Sequence, residues 1–165
     1  MTLVVITTII PVVTSRYRPS RPPASLESRV FVALLQAADT LSQDAEQLVK
    51  AAGLTGAQYN VLRILRGAEP AGLPCSGIGD RMISHDPDIT RLLDRMEKRG
   101  LITRERQTDD RRVVKTRITP QGLSLLKTLD QPMHDLHKRQ FRHMRNSRLK
   151  TLGTLLEEVR DGKKG

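Results

Sequence analysis

Apolar residues recur every three or four positions over most of this chain, which is the spacing of one face of an α-helix. The first such stripe consists of Val30, Leu34, Ala37, Leu41, Ala45, Leu48 and Ala52. It predicts a helix over about residues 25–52, and Gly53 is of the residue type that commonly ends a helix. Thr55 and Gln58 have the spacing of a capping box and predict a second helix, which continues to about Gly67.

The centre of the chain predicts two more helices. A turn-rich loop at residues 69–74 precedes a short helix at about 76–82. Asp86 is a favoured N-cap and Pro87 a favoured first helical residue, so the next helix is expected to run from Pro87 to about Arg99. Its expected buried face consists of Ile89, Leu92, Leu93 and Met96.

Two strands are expected after this helix. Residues 101–106 and 113–118 have strand character, and the polar, charged segment 107–112 between them predicts a hairpin loop. Helix, turn, helix and hairpin in this order are typical of a winged helix-turn-helix. In that fold the second helix, the recognition helix, enters the major groove of DNA, and the hairpin is the wing.

The C-terminal part of the chain is expected to be helical. Thr119 is the predicted N-cap of a helix that begins at Pro120, and Pro132 is expected to kink it. A last helix is predicted to begin near Asn146. Its apolar stripe consists of Leu149, Leu152, Leu155, Leu156 and Val159.

The first and last helical regions carry apolar stripes that the small central domain cannot cover alone. A helix that exposes such a stripe must bury it, and the expected cover is a second copy of the chain. We therefore predict a homodimer, with Leu152 and Leu156 in or beside its interface.

The predicted fold class is mainly α with a small β-hairpin: a winged helix-turn-helix flanked by N- and C-terminal dimerisation helices. We expect the DNA-binding domain at residues 55–119, a helical dimerisation region at 25–54 and 120–162, and a disordered arm at 1–24. The apolar part of the arm is too short to span a bilayer and lacks the features of a signal peptide. We favour a misassigned upstream start that adds little function; the alternative is a basic arm that contacts phosphates.

Composition narrows the class of partner. The 28 Lys and Arg outnumber the 18 Asp and Glu, and the net charge of +10 favours an anionic partner, either nucleic acid or an acidic membrane. A soluble protein that happens to be basic explains the charge alone equally well. The single cysteine, Cys75, cannot form an intrachain disulfide and suits a reducing, cytoplasmic location. Aromatic residues make up 2% of the chain, which argues against stacking of single-stranded bases.

The outer face of the predicted recognition helix carries Asp88, Thr90, Arg91, Asp94, Arg95 and Lys98. Arg91 faces outward one turn from the helix start and can bond a guanine edge at two places, so it is the predicted base reader. Thr90 suits a thymine methyl group and Asp88 a cytosine amine. Taken alone, these residues are equally well explained as solvated charges on a surface helix.

The predicted wing is strongly basic. Between Arg95 and Arg117 the chain has nine Lys or Arg and four Asp or Glu. The basic residues of the hairpin are Arg104, Arg106, Arg111, Arg112, Lys115 and Arg117. A protruding ribbon with Arg at its tip suits the narrow, negative minor groove. Asp109 and Asp110 lower the charge beside that tip, which is explained if one of them orients an Arg through paired hydrogen bonds.

Two segments carry a resemblance to a known family. Residues 110–119, Asp-Arg-Arg-Val-Val-Lys-Thr-Arg-Ile-Thr, resemble the wing signature of the multiple-antibiotic-resistance regulator (MarR) family, which is Asp-x-Arg followed by a hydrophobic-Thr pair. Residues 93–102, Leu-Asp-Arg-Met-Glu-Lys-Arg-Gly-Leu-Ile, are similar to the end of that family's recognition helix. The resemblance extends over roughly residues 25–160, including the order of helices.

This resemblance implies roles for particular residues. It places Arg112 at the wing tip in the minor groove with Asp110 bracing it, and Arg91 among the base contacts. It also implies a dimer interface formed by the first helix and the last two helices. It further implies control by a small aromatic or phenolic effector that binds between the dimerisation and DNA-binding regions. The predicted DNA-binding set is Asp88, Thr90, Arg91, Arg95, Arg104, Arg106, Asp110, Arg111, Arg112 and Lys115.

Other chemistries have little support in the sequence. There is no phosphate loop, paired zinc ligand set or supported Ser-His-Asp grouping, so we expect neither an enzyme nor a cofactor. His134, His137 and His143 lack acidic or Cys partners for a metal, and Cys75 lacks a second cysteine for redox sensing. The predicted function is a ligand-responsive homodimeric repressor that reads a pseudo-palindromic operator in double-stranded DNA. The alternative is an architectural or protein-interaction winged-helix module without ligand sensing.

Overall fold

The computed structural model describes residues 25–83, 88–106 and 114–162 of the chain. Within these ranges, six helices and three strands follow one another. They are α1 (Leu26–Ala51), α2 (Gly56–Arg66), β1 (Leu73–Pro74), α3 (Cys75–Gly79), α4 (Ile89–Lys98), β2 (Ile102–Arg106), β3 (Val114–Ile118), α5 (Pro120–Phe141) and α6 (Asn146–Asp161). The predicted mainly α fold with a winged helix-turn-helix is confirmed; the predicted arm at 1–24 lies outside the described residues.

The chain divides into two compact units, residues 1–47 and 48–165. In the first unit, the described residues belong to α1 and the serine before it, and none of them is fully buried. Its exposed large apolar side chains are Leu26, Val30, Phe31 and Leu35. A helix with such a stripe requires a partner surface in water.

The hydrophobic core lies in the second unit, where α2, α3, α4 and α5 pack with the sheet. Its most deeply buried side chains are Val61, Leu62, Leu65, Ile78, Leu92, Leu93, Met96, Leu101, Ile102 and Leu126. Because α4 contributes three of these residues at helical spacing, its opposite face is directed outward. The core therefore fixes which side of α4 is available to a partner.

The sheet has three antiparallel strands in the order β1-β3-β2. The predicted hairpin is present, with β2 and β3 paired from Ile102↔Ile118 to Arg106↔Val114. The sequence predicted only loop at residues 69–74, and this prediction was wrong at its end, because β1 pairs with β3 there. A two-residue edge strand is too short to show alternation, and Pro74 is tolerated because an edge strand does not need every N–H.

Local capping chemistry explains where the helices begin. Thr55 Oγ1 accepts from Gln58 N at 3.2 Å and Gln58 Oε1 accepts from Thr55 N at 3.0 Å, which confirms the predicted capping box of α2. Thr119 Oγ1 accepts from Gly122 N at 3.0 Å, which confirms the predicted start of α5 at Pro120. Helix α5 continues through the proline at position 132.

The predicted start of α4 at Pro87 was wrong by two residues. The helix begins at Ile89, and Asp88 is the N-cap, with its carboxylate accepting from the backbone of Arg91. Asp86, the N-cap predicted from the sequence, and Pro87 lie outside the described residues. An aspartate lies on each side of the proline, and each of the two can supply the carboxylate that caps a helix N-terminus. The sequence alone therefore does not show which of them is the N-cap.

Gly122 allows the first turn of α5 to approach the strand region closely. A Cβ at this position would collide with the carbonyl oxygen of Leu101 and lie 2.9 Å from Ile118 Cγ1. We expect Gly122→Ala to lower the free energy of unfolding by about 1–3 kcal/mol, because overpacking forces backbone shifts. Gly56→Ala is the matched control, since nothing lies within 4 Å of its added Cβ. Urea denaturation of both variants tests this; equal stabilities would contradict the proposed close approach.

Candidate nucleic-acid interface

The outward face of α4 carries the residues that the sequence assigned to base contact. Leu92, Leu93 and Met96 anchor the inner face in the core. On the outer side, the exposed residues are Thr90, Arg91, Arg95 and Lys98, and the half-buried ones are Asp88 and Asp94. A helix with one buried face and an outer face that presents three exposed basic side chains has the form that fits a major groove.

The N-terminus of α4 holds a pre-arranged arginine. Asp88 Oδ1 accepts from Arg91 N at 3.4 Å, and Asp88 Oδ2 pairs with Arg91 Nε at 3.2 Å. The Arg91 side chain is still 81% exposed. Asp88 therefore caps the helix and orients Arg91 at the same time, while the guanidinium remains accessible to a base edge.

Arg104 on β2 is engaged by two carboxylates of α4. Its Nη2 lies 2.6 Å from Asp94 Oδ1 and 2.6 Å from Glu97 Oε2, and its Nε lies 2.9 Å from Glu97 Oε2. The backbone N–H of Arg104 also donates to Glu97 Oε1 at 3.1 Å. The hydrogen bond to Glu97 is the main cause that raises the pKa of the Arg104 guanidinium above its ordinary value; partial burial opposes this shift, and the hydrogen bond to Asp94 adds to it.

The other basic residues of the strands differ in whether their side chains already have hydrogen-bond or ion-pair partners. Arg117 is occupied, because its Nη1 lies 2.8 Å from Glu105 and its Nε donates to Pro70 O at 3.1 Å. Arg106 is exposed and Lys115 half-buried. Within residues 25–83, 88–106 and 114–162, no hydrogen bond or ion pair engages the side chains of Arg95 and Arg106. Both guanidiniums are exposed and are suited to contact phosphates.

Further contacts hold the helix-turn-helix together. Ile83 N donates to Asn60 Oδ1 at 3.0 Å, which ties the turn after α3 to α2. Arg66 Nη1 lies 2.9 Å from both carboxylate oxygens of Asp130, which joins α2 to α5. These contacts join α2 to the turn after α3 and to α5, and so give the helix-turn-helix the rigid support that a recognition surface requires.

Comparison with known proteins assigns the family. The sequence model of the MarR family matches residues 54–114. The structure of a MarR transcription factor from Planctomyces limnophilus is 38% identical, and the alignment covers 82% of this chain and 98% of that one, with a TM-score of 0.63. The chain belongs to the MarR family. MarR proteins are DNA-binding transcriptional regulators, and this chain is one of them.

Two further proteins that this chain is similar to have known roles. The homoprotocatechuate degradative operon repressor of Escherichia coli is 28% identical over 81% of this chain and 88% of its own length. The PcaV transcriptional regulator of Streptomyces coelicolor, whose structure was determined with its natural ligand, is 26% identical, over 75% of this chain and 89% of that one, with a TM-score of 0.63. Both relatives are transcriptional regulators.

Arg112 and Asp110, whose wing-tip roles the MarR resemblance implies, and the predicted contact Arg111 lie outside the described residues. Their roles stay predictions. Of the other predicted contacts, the structure brings Asp88, Thr90, Arg91 and Arg95 together on or beside one helical face. Arg104 is drawn into an intramolecular cluster that sequence reasoning missed. The signal for it was weak: two acidic residues three apart on a helix and an arginine early in the next strand.

Other features of the second unit lie away from α4. An open groove of about 390 Å³ lies between α5 and α6, lined by His134, His137, Lys138, Phe141, Arg142, Met144, Asn146 and Leu149.

No group of three metal-binding side chains occurs among the described residues. None of the helices that the structure describes is long and apolar enough to cross a membrane.

Proposed function

We propose that this MarR protein is a cytoplasmic, ligand-responsive homodimeric repressor that reads a pseudo-palindromic operator. The observation that carries the proposal is the outer face of α4, where Arg91 is exposed, oriented by Asp88 and close to the helix start. The first turn of a recognition helix is the part that meets base edges. An oriented but accessible guanidinium there is suited to a guanine.

The homodimer is supported by apolar side chains that are exposed to water in the single chain. In the second unit, Leu155, Leu156 and Val159 of α6 are 51%, 42% and 57% exposed. In the first unit, α1 exposes the four apolar side chains named above. Exposed apolar stripes of this kind mark interaction surfaces, and a two-fold partner presents the same surfaces in return.

Repression and ligand response are proposed from the relatives. The Escherichia coli relative is a repressor of an operon for degradation of homoprotocatechuate, and the Streptomyces coelicolor relative has a natural ligand. We therefore propose a small aromatic or phenolic effector for this protein. In free-energy terms, such an effector must bind the DNA-released state more tightly than the DNA-bound state.

Genome-wide mapping of bound sites tests this function. We expect a small number of strong sites beside promoters, increased transcription of the adjacent genes when the protein is deleted, and loss of occupancy when a small aromatic or phenolic compound of the proposed effector class is added. Binding spread over the genome without sequence preference, or unchanged transcription in the deletion strain, would contradict the proposed repressor.

Arg91→Ala should cost about 1–3 kcal/mol in operator affinity and relax base preference at one position per half-site. Lys98→Ala is the control, because Lys98 is exposed on the last turn of the same helix and is expected to contact phosphates. The control should weaken binding to all sequences alike. Selection of preferred sites with each variant measures the difference; an unchanged base preference for Arg91→Ala would remove Arg91 from the base contacts.

A further inference from the structure

Arg104, Asp94 and Glu97 form a cluster, here called the Arg104 clamp, that joins β2 to α4. Side chains alternate along a strand, so Arg104 lies on the same face of β2 as the buried residue Ile102. This face is turned toward α4, and the guanidinium reaches both carboxylates at 2.6 Å. The two carboxylates are three residues apart on α4, which places them on one side of that helix.

The clamp engages the Nε and Nη2 donors of the Arg104 guanidinium, so a phosphate contact would have to use Nη1 alone or break the clamp. Arg104 uses Nε, Nη2 and its backbone N–H toward α4, and its side chain is 26% exposed. If Arg104 bound a phosphate instead, the carboxylates of Asp94 and Glu97 would lose their cationic partner and would lie unpaired beside the negatively charged DNA. Arg106, two residues farther along the same strand face, has neither constraint and is exposed.

We propose that Arg104 is a positioning residue, which locks the wing strands to the recognition helix so that both meet DNA as one surface. The proposal rests on the proposed function and deepens it. In the sheet, β2 is an edge strand that pairs with β3 alone, so it has a neighbouring strand on one side only. Docking in two grooves at once requires the two elements to hold their relative placement closely. The buried side chains of α4 hold the inner side of this helix in the core. The clamp joins β2 to carboxylates of α4 that lie outside that buried face.

Removing Glu97 gives a test in which the sign of the effect is informative. Glu97→Ala takes a negative charge off a DNA-facing helix and keeps good helix propensity. Coulomb attraction alone predicts tighter binding, whereas loss of the clamp predicts weaker and less specific binding. Glu105→Gln is the matched control, because Glu105 is a carboxylate on β2 that pairs with Arg117 and not with α4.

The measurement is the ratio of affinity for the selected operator to affinity for non-specific DNA, with the full-length chain at several salt concentrations. We expect Glu97→Ala to lower this ratio about tenfold, as for coupled members of a network, and Glu105→Gln to leave it unchanged. A variant that is only less stable loses active protein but keeps the ratio. Arg104→Lys should lower the ratio as well, because one ammonium does not reproduce the fork geometry toward two carboxylates.

The alternative role is a direct phosphate contact by Arg104. In that case Arg104→Lys would bind like the unaltered protein, Glu97→Ala would bind more tightly, and the ratio would stay constant, which overturns the proposal. If the unaltered protein itself shows no preference for any sequence, the proposed function fails and the positioning role fails with it. A specific unaltered protein with an unchanged ratio in Glu97→Ala overturns the positioning role alone.

Discussion

Glutamate at both Leu155 and Leu156 should produce monomers or unfolded chain and weaken operator binding about a hundredfold or more. The two side chains are 51% and 42% exposed on α6, where a proposed second copy covers them. Two carboxylates in such an interface would be desolvated without partners. A monomer also loses the gain in affinity from holding two half-sites at once, which amounts to about 10²–10⁴-fold.

Thr154→Glu is the matched control for this pair. Thr154 lies on the same helix, is exposed and bonds to the backbone of its own helix through its hydroxyl. Helical spacing directs it away from the apolar stripe. Sedimentation and operator titration should show an unaltered dimer for the control and monomers for the double variant. A dimer of unchanged affinity in the double variant, or a stable folded monomer of the unaltered protein at micromolar concentration, would contradict the proposed architecture.

Arg112→Ala should weaken operator binding by about 3 kcal/mol, more than removal of any other single wing residue. A guanidinium in a narrow minor groove meets a focused negative potential and loses less hydration than an ammonium does. Arg112→Lys should therefore be nearly as damaging. Asp110→Ala should also weaken binding, although it removes a negative charge, because the carboxylate is predicted to orient Arg112 through charge-assisted hydrogen bonds.

Arg111→Ala separates the wing-tip role from simple attraction to phosphates. If the wing only lies near the backbone, Arg111 and Arg112 are interchangeable, and loss of either lowers the salt slope by about 0.9. In that case Arg112→Lys is harmless and Asp110→Ala binds more tightly. Titration of all four variants on one operator at two salt concentrations distinguishes the two roles, and this second pattern would rule out the wing-tip assignment.

Features set by local chemistry were predictable from the sequence. The caps at Thr55 and Thr119 depend on residues three positions away or fewer, and the structure confirms both. The buried face of α4 follows from helical periodicity, which the core confirms for Leu92, Leu93 and Met96. Each of these predictions needed only one element and its flanking residues.

Features set by contacts between elements were not predictable in the same way. Strand β1 has two residues and gains its hydrogen bonds only when β3 is beside it, so no pattern in residues 69–74 reveals it. Arg104 has the residue type and hairpin position of a DNA contact, yet the structure pairs it with Asp94 and Glu97. An arginine binds a phosphate and a carboxylate with the same fork of donors, so the sequence does not distinguish these partners.

Selection of bound sequences from random double-stranded DNA, with the purified full-length protein, tests the central claim most directly. Two recognition helices related by a two-fold axis must enter successive major grooves. The selected site should therefore be a pseudo-palindrome whose half-sites lie about 10 base pairs apart. Recovery of no common sequence, or of a single site without two-fold symmetry, would contradict a homodimeric regulator that reads DNA through α4.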